Sequence, residues 1–249
     1  MGSAIGLPAL ESAAPGLVSL YKRAGNSLRE HALEGERAAV YLVLDRSGSM
    51  RPYYRDGTVQ HLAERVLGLA AHLDDDGTVP LVFFSTDVDG TAEFGLSGYQ
   101  GRIGQLHREL GHMGRTNYHW AMDAVLDHYL ASEPDSPALV VFQTDGGPTS
   151  KFAAERFLCR AAGLPLFWQF VGFGDPGDTE FAFLRKLDEL AVPGRRIVDN
   201  AGFFPAGADP RRMSDAELYD RLLAEFPRWL SAARELGIRP ARSTSGQAR

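Results

Sequence analysis

The apolar positions of this chain change rhythm several times, and each change predicts an element. Leu17, Leu20, Tyr21, Ala24 and Leu28 recur at the three-and-four spacing of a helix with one buried face. AVYLVL, residues 39 to 44, does not alternate and reads as a strand buried on both faces. Val59, Leu62, Val66, Leu69 and Leu73 then form a helical stripe that Thr58 is placed to cap. DDDG, residues 74 to 77, ends that helix, and VPLVFF is a second strand. TAEFGL, after the turn DVDG, predicts a short strand, and GRIGQLHREL a modest helix. TNYHWAMDAVLDHYL predicts a stronger helix with Ala121, Met122, Val125, Leu126 and Tyr129 inward. Trp120 and Trp168 read as core.

The second half repeats the alternation. ALVVFQTDGG is a buried strand ending in polar residues, and SKFAAERFLCRAAG a helix capped by Ser150. LPLFWQFVGFG predicts a strand, TEFAFLRKLDEL a helix and RRIVDN a short strand. The last helical stretch runs from 214 to 237. Ser214 and Glu217 match a capping box at its start, and Pro227 divides it. Strands alternating with helices predict an α/β fold: a doubly wound, mostly parallel sheet with helices on both faces. The expected organisation is an extension over residues 1 to 36, loose up to 16 and then one helix. One domain follows over 37 to 237, then a disordered polar tail over 238 to 249.

Composition narrows the function. The net charge of −6 leaves no footprint for nucleic acid. Cys159 is the only cysteine, so an intrachain disulfide is excluded and a cysteine-built zinc site is not expected. The N-terminus lacks the basic start and apolar run of a secretory signal, and no apolar run approaches the ~20 residues that span a bilayer. A cytoplasmic protein is expected. The run Asp74, Asp75, Asp76 lacks the spacing of an EF-hand loop, and the histidines form no H-E-x-x-H.

Two strand ends are unusually polar: LDRSGSM, holding Asp45, Ser47 and Ser49, and QTDGG, holding Asp145. A third polar loop, GHMGRTNYHW, carries Thr116 into a helix. In open α/β sheets function gathers at the carboxyl ends of strands, beside a change in strand order. These five residues offer only oxygen, a donor set suited to Mg²⁺, with Mn²⁺ or Ca²⁺ as alternatives. Gly48 lets the backbone bend between the two serines. Asp87, Asn117 and Arg115 are candidates for an outer shell, Asn117 also for capping its helix, and Asp89 shapes a turn with Gly90. Arg46, Arg51 and Arg115 stand beside the loops and could draw in an anion.

DRSGSM, GRTN and TDG, in that order on alternating strands and helices, resemble the metal-ion-dependent adhesion site of von Willebrand factor type A (vWA) domains. The resemblance covers roughly residues 37 to 237. SGSM-x-P-x-Y and LDDDG are similar to the tellurium-resistance (TerF-like) branch. That branch often carries a further domain ahead of the vWA domain, so about 36 preceding residues suggest a stand-alone form. The resemblance implies a non-enzymatic module that holds a divalent cation with Asp45, Ser47, Ser49, Thr116 and Asp145. It also implies that an Asp or Glu of a partner protein, another tellurium-resistance protein among the candidates, fills the open coordination position. Two alternatives stay open: a Mg²⁺-dependent phosphoester hydrolase, and a scaffold whose metal only staples loops.

Overall fold

A computed structural model describes residues 3–192 and 194–240. Helices α1 (Leu7–Ala13) and α2 (Val18–Glu30) precede β1 (Ala39–Asp45), α3 (Arg51–Arg55) and α4 (Thr58–Leu73). Then come β2 (Thr78–Phe84), β3 (Val88–Gly95), α5 (Arg102–Glu109), α6 (Tyr118–Ala131), β4 (Ala138–Thr144) and α7 (Lys151–Ala161). β5 (Leu166–Gly172), α8 (Ala182–Asp188), β6 (Ala201–Pro205), α9 (Asp215–Leu223) and α10 (Phe226–Glu235) complete the order.

The six strands form one sheet in the order β3-β2-β1-β4-β5-β6. All neighbours run parallel except β3, which is antiparallel to β2 at one edge. The strand order reverses between β1 and β4, so the carboxyl ends of these two strands flank the switch point.

The unbroken apolar run of β1 has a direct cause. Val40, Leu42 and Leu44 enter the core beneath α2, α4, α9 and α10, whereas Tyr41 and Val43 enter the one beneath α6, α7 and α8. Covered on both faces, the strand has no solvent side on which to place polar residues.

The structure departs from the sequence expectations at several points. RRIVDN is not a strand. Arg196 is buried there and donates to the carbonyls of Leu190 and Asp188, while Asn200 donates to that of Leu158. The strand follows as AGFFP, whose glycine and proline obscure it, and it lies at the sheet edge where a proline is tolerated. Leu7–Ala13, expected to be loose, is helical, with Pro8 in its first turn and Leu10 buried. Thr58 does not cap α4: Gly57 is the N-cap residue, and the Thr58 hydroxyl donates to Asp56 instead. Trp168 is fully buried, but Trp120 is 47% exposed. From residue 241 the expected tail lies outside the described residues.

The extension packs on α4 and α9, not on a sheet edge. Tyr21 stacks on His72 of α4 with ring centroids 3.8 Å apart, and the imidazole also meets the Tyr21 carbonyl at 2.8 Å and the Ser3 hydroxyl at 2.8 Å. Arg65, buried in α4, pairs with Asp215 at 2.8 Å.

Candidate metal centre

Asp45 ends β1 and is fully buried. Its Oδ1 accepts the Ser47 amide at 2.6 Å, its Oδ2 the Thr144 hydroxyl at 2.6 Å, and its carbonyl the Tyr54 hydroxyl at 3.0 Å. The chain then makes a single tight turn, Gly48–Met50. The Ser47 and Ser49 hydroxyls lie 3.2 Å apart, and Ser47 Oγ lies 3.4 Å from Asp145 Oδ1. Loops from β1 and β4, 98 residues apart in sequence, therefore meet at one point.

The Thr116 loop is fastened alongside. The Gly48 amide donates to the Gly114 carbonyl at 3.1 Å, and the Thr149 amide to the Thr116 carbonyl at 2.7 Å. The Thr116 hydroxyl has no hydrogen-bond partner among the described residues. Gly114 could not be another residue without movement: a Cβ there would collide with Thr86 Oγ1. Gly48 is different. A Cβ at that position meets nothing within 4 Å, so the loop does not require glycine there, contrary to the expectation.

Arg46 does not join the site. It is 1% exposed and turns away, pairing with Asp89 at 2.6 Å and donating to the Gly111 carbonyl at 2.9 Å and to His107 Nδ1 at 3.2 Å. Asp89 also accepts the Ser85 hydroxyl, so it ties three segments together and is not merely a turn former. Arg51 and Arg115 are exposed. Asn117 caps nothing with its side chain, which donates to the Thr86 carbonyl at 2.7 Å. Asp87 is exposed at the β2–β3 turn, where its carboxylate accepts the Val88 amide, and no described hydrogen bond links it to the cluster.

The electrostatics are unbalanced. Burial, and then the charge of Asp145, push the Asp45 carboxyl up to about 7. Burial also raises Asp145; the serine hydroxyls hold it down and Glu180 presses it up. No described cationic side chain pairs with either acid. The residues fit a divalent cation: two carboxylates and a set of hydroxyls, all hard oxygen donors, with no resident positive charge. Among the described residues no three His, Cys, Asp or Glu side chains converge on one point, so such a site depends on its hydroxyls.

Three contributors were not legible in the sequence. Thr144 clamps Asp45 and is met by the Tyr118 hydroxyl at 3.3 Å; Tyr118 also donates to the Gly146 carbonyl. Glu180, from the loop after β5, brings its carboxylate beside Gly146. All three act across strands, and spacing along the chain carries no signal of that. Thr144 alone had a cue, its place beside Asp145 at a strand end.

A Rossmann-like sheet with hydroxyl-rich loops at its switch point defines the vWA class. Residues 37–239 match the family described as the vWA found in the TerF C terminus, and the chain belongs to it. The protein YcbR of Bacillus subtilis (strain 168), uncharacterized, is 40% identical over 215 residues, covering 85% of each chain. Among solved structures, manganese-loaded TRAP protein of Plasmodium vivax superposes with a TM-score of 0.50 at 20% identity, covering 77% of this chain and 74% of that one. Proximal thread matrix protein 1 of the mussel byssus gives 0.51 at 15% identity, over 76% of this chain and 47% of its own.

Proposed function

We propose that this protein is a non-enzymatic interaction module. It binds one divalent cation through Asp45, Ser47, Ser49, Thr116 and Asp145, and it presents the cation to an Asp or Glu of a partner protein. The observation that carries this reading is the uncompensated pair of Asp45, fully buried, and Asp145, half-buried, set among hydroxyls while the adjacent arginine turns away. With two carboxylates at most, a divalent ion is not over-neutralised and retains attraction for a further anion. Mg²⁺ is the expected ion, since hydroxyl and carboxylate oxygens are hard donors and Mg²⁺ readily keeps waters. Mn²⁺ and Ca²⁺ are alternatives, and manganese is the ion named with the TRAP protein.

Membership of a family of interaction modules supports binding over catalysis. So does the surround. Trp120 and Phe152, on the first turns of α6 and α7, are 47% and 75% exposed, as suits contact with another protein. Arg115 and Asn117 are positioning residues for the Thr116 loop, acting through Thr86. The TerF relationship supports a bacterial tellurium-stress setting, and a cytoplasmic one. No described helix is long and apolar enough to cross a membrane.

Calorimetry with Mg²⁺, Mn²⁺ and Ca²⁺ tests the site: one ion should bind wild type and none Asp145→Ala. Affinity capture in Mg²⁺ and in chelator tests the recognition. Partners retained equally in chelator, or phosphoester turnover abolished by Asp45→Ala, would sink the reading.

A further inference from the structure

The ligands proposed for the cation do not account for Glu180, a third acid at their margin. Its backbone is fixed from both sides. The Glu180 amide donates to Asp178 Oδ1 at 2.9 Å, and the next residue, Phe181, is fully buried with its ring centroid 5.5 Å from that of Phe203. The side chain alone is free. It is exposed, and its carboxylate makes no hydrogen bond or ion pair among the described residues. Lys151, whose stem passes Gly147, does not pair with it.

Two glycines leave a gap between this carboxylate and the cation centre. Gly146 and Gly147 follow Asp145 directly, and neither has the positive φ that would demand glycine. A Cβ at Gly146 would rest 3.6 Å from Glu180 Oε2, and one at Gly147 would rest 3.5 Å from the Glu180 carbonyl. Those are ordinary contacts, so side chains would fit there, and they would fill the gap. The charge of Glu180 is felt at Asp145 across it. A third acid beside an unbalanced pair is unfavourable unless all three share a cation. Asp45, Asp145 and Glu180 do not converge closely enough to be joint ligands of one ion. Mg²⁺ keeps several waters, and a coordinated water extends the reach of a carboxylate.

We infer that Glu180 belongs to the cation centre: it accepts a hydrogen bond from a water on the ion and guards the position that a partner's acid must take. The inference rests on the cation reading of the site. Glu180 then has two opposite effects. It favours the ion, by charge and by a hydrogen bond, and it opposes entry of a second carboxylate until it yields. Glu180 is thus a positioning residue and a gatekeeper, held ready by a fixed backbone and a free side chain.

The test uses the full chain, with acetate standing in for the partner's carboxylate. Mg²⁺ binding is measured by calorimetry, and acetate binding by the relaxation of its methyl protons on Mn²⁺-loaded protein. Glu180→Gln should weaken Mg²⁺ binding about tenfold. The same variant should bind acetate several-fold more tightly, with no loss of melting temperature in chelator. These opposite signs separate the inference from a structural role, which would weaken both. Glu180→Asp keeps the charge but shortens the reach, and it should resemble Glu180→Gln. Asp175→Asn removes a charge from the same loop while keeping the oxygen that accepts the Gly177 amide, and it should change neither measurement. The inference is overturned by Mg²⁺ affinity or acetate affinity in Glu180→Gln that matches wild type. It is equally overturned if Glu180→Asp behaves as wild type or Asp175→Asn behaves as Glu180→Gln, since Glu180 is then only a surface charge. A wild type that binds neither Mg²⁺ nor Mn²⁺ defeats the cation reading as well, whereas a wild type that binds both, with Glu180→Gln identical to it, defeats this inference alone.

Discussion

Asp45→Asn isolates the electrostatic cost of the candidate metal centre. In chelator, the Asp45 carboxyl rises from its ordinary 3.8 to about 7 in the folded chain. The native state then binds more protons than the unfolded state between these two values. Stability therefore falls as pH rises through this window and levels off above about 7. At about 1.36 kcal/mol per pH unit, the contribution lost is on the order of 4 kcal/mol. Asparagine removes the charge and keeps the shape. Its amide oxygen still accepts from Ser47, and its NH₂ can donate to Thr144, whose own proton turns to the Gly146 carbonyl 3.1 Å away. Urea unfolding at pH 4.5, 6 and 8 in chelator should show the variant gaining on wild type across the series. It should be the more stable protein by several kcal/mol at pH 8. Saturating Mg²⁺ should reverse the order at pH 8, since a bound cation stabilises only the folded wild type. If the two proteins keep the same stability difference from pH 4.5 to 8 in chelator, Asp45 is not strained by unbalanced charge and the argument for a cation fails.

Other substitutions probe the supports. Arg46→Met leaves Asp89 without its buried partner and should cost about 3 kcal/mol in chemical unfolding, with no change in the sign of the surface near the site. Gly114→Ala drives a methyl into Thr86 and should cost roughly 1–3 kcal/mol while weakening cation binding in calorimetry. Trp120→Ala should change stability by under about 0.5 kcal/mol, because the ring is half exposed. The same variant should reduce partner capture in Mg²⁺.

The sheet was legible in the sequence where both faces are covered. β1, β4 and β5 announce themselves by apolar runs with no alternation, their few polar residues, Asp45, Gln143, Thr144 and Gln169, being buried too. β6 was not legible, since an edge strand that includes Gly202 and Pro205 looks like a loop until its neighbour is known. Gly202 has a reason invisible in one dimension: a Cβ there would press on Glu225 and Gln169. The three loops of the candidate site were readable because each carries its oxygens in a short run. The side chain of Arg46 was not, because an arginine beside a polar loop reads as surface charge until Asp89, 43 residues away, is seen to face it. Thr144, Tyr118 and Glu180 were missed for the same reason: their roles exist only after the strands are laid side by side.

The way α4 is held bears on how motion could travel through this protein. The Ser47–Ser49 loop runs through α3 directly into α4, a helix gripped by α2 through His72 and by the start of α9 through Arg65 and Asp215. Sliding that helix would unstack Tyr21 and pull apart a buried ion pair. The serine loop is thus anchored to a fixed strut, and a partner that tugs on it has no lever arm there. The Glu180 segment is built differently: Glu180 is exposed, its amide is held by Asp178, and Arg185 of α8 donates to the Pro176 and Asp178 carbonyls of the same loop. Through Arg185 this segment is coupled to α8, so a displacement of Glu180 on docking would be passed towards that helix and the far edge of the sheet.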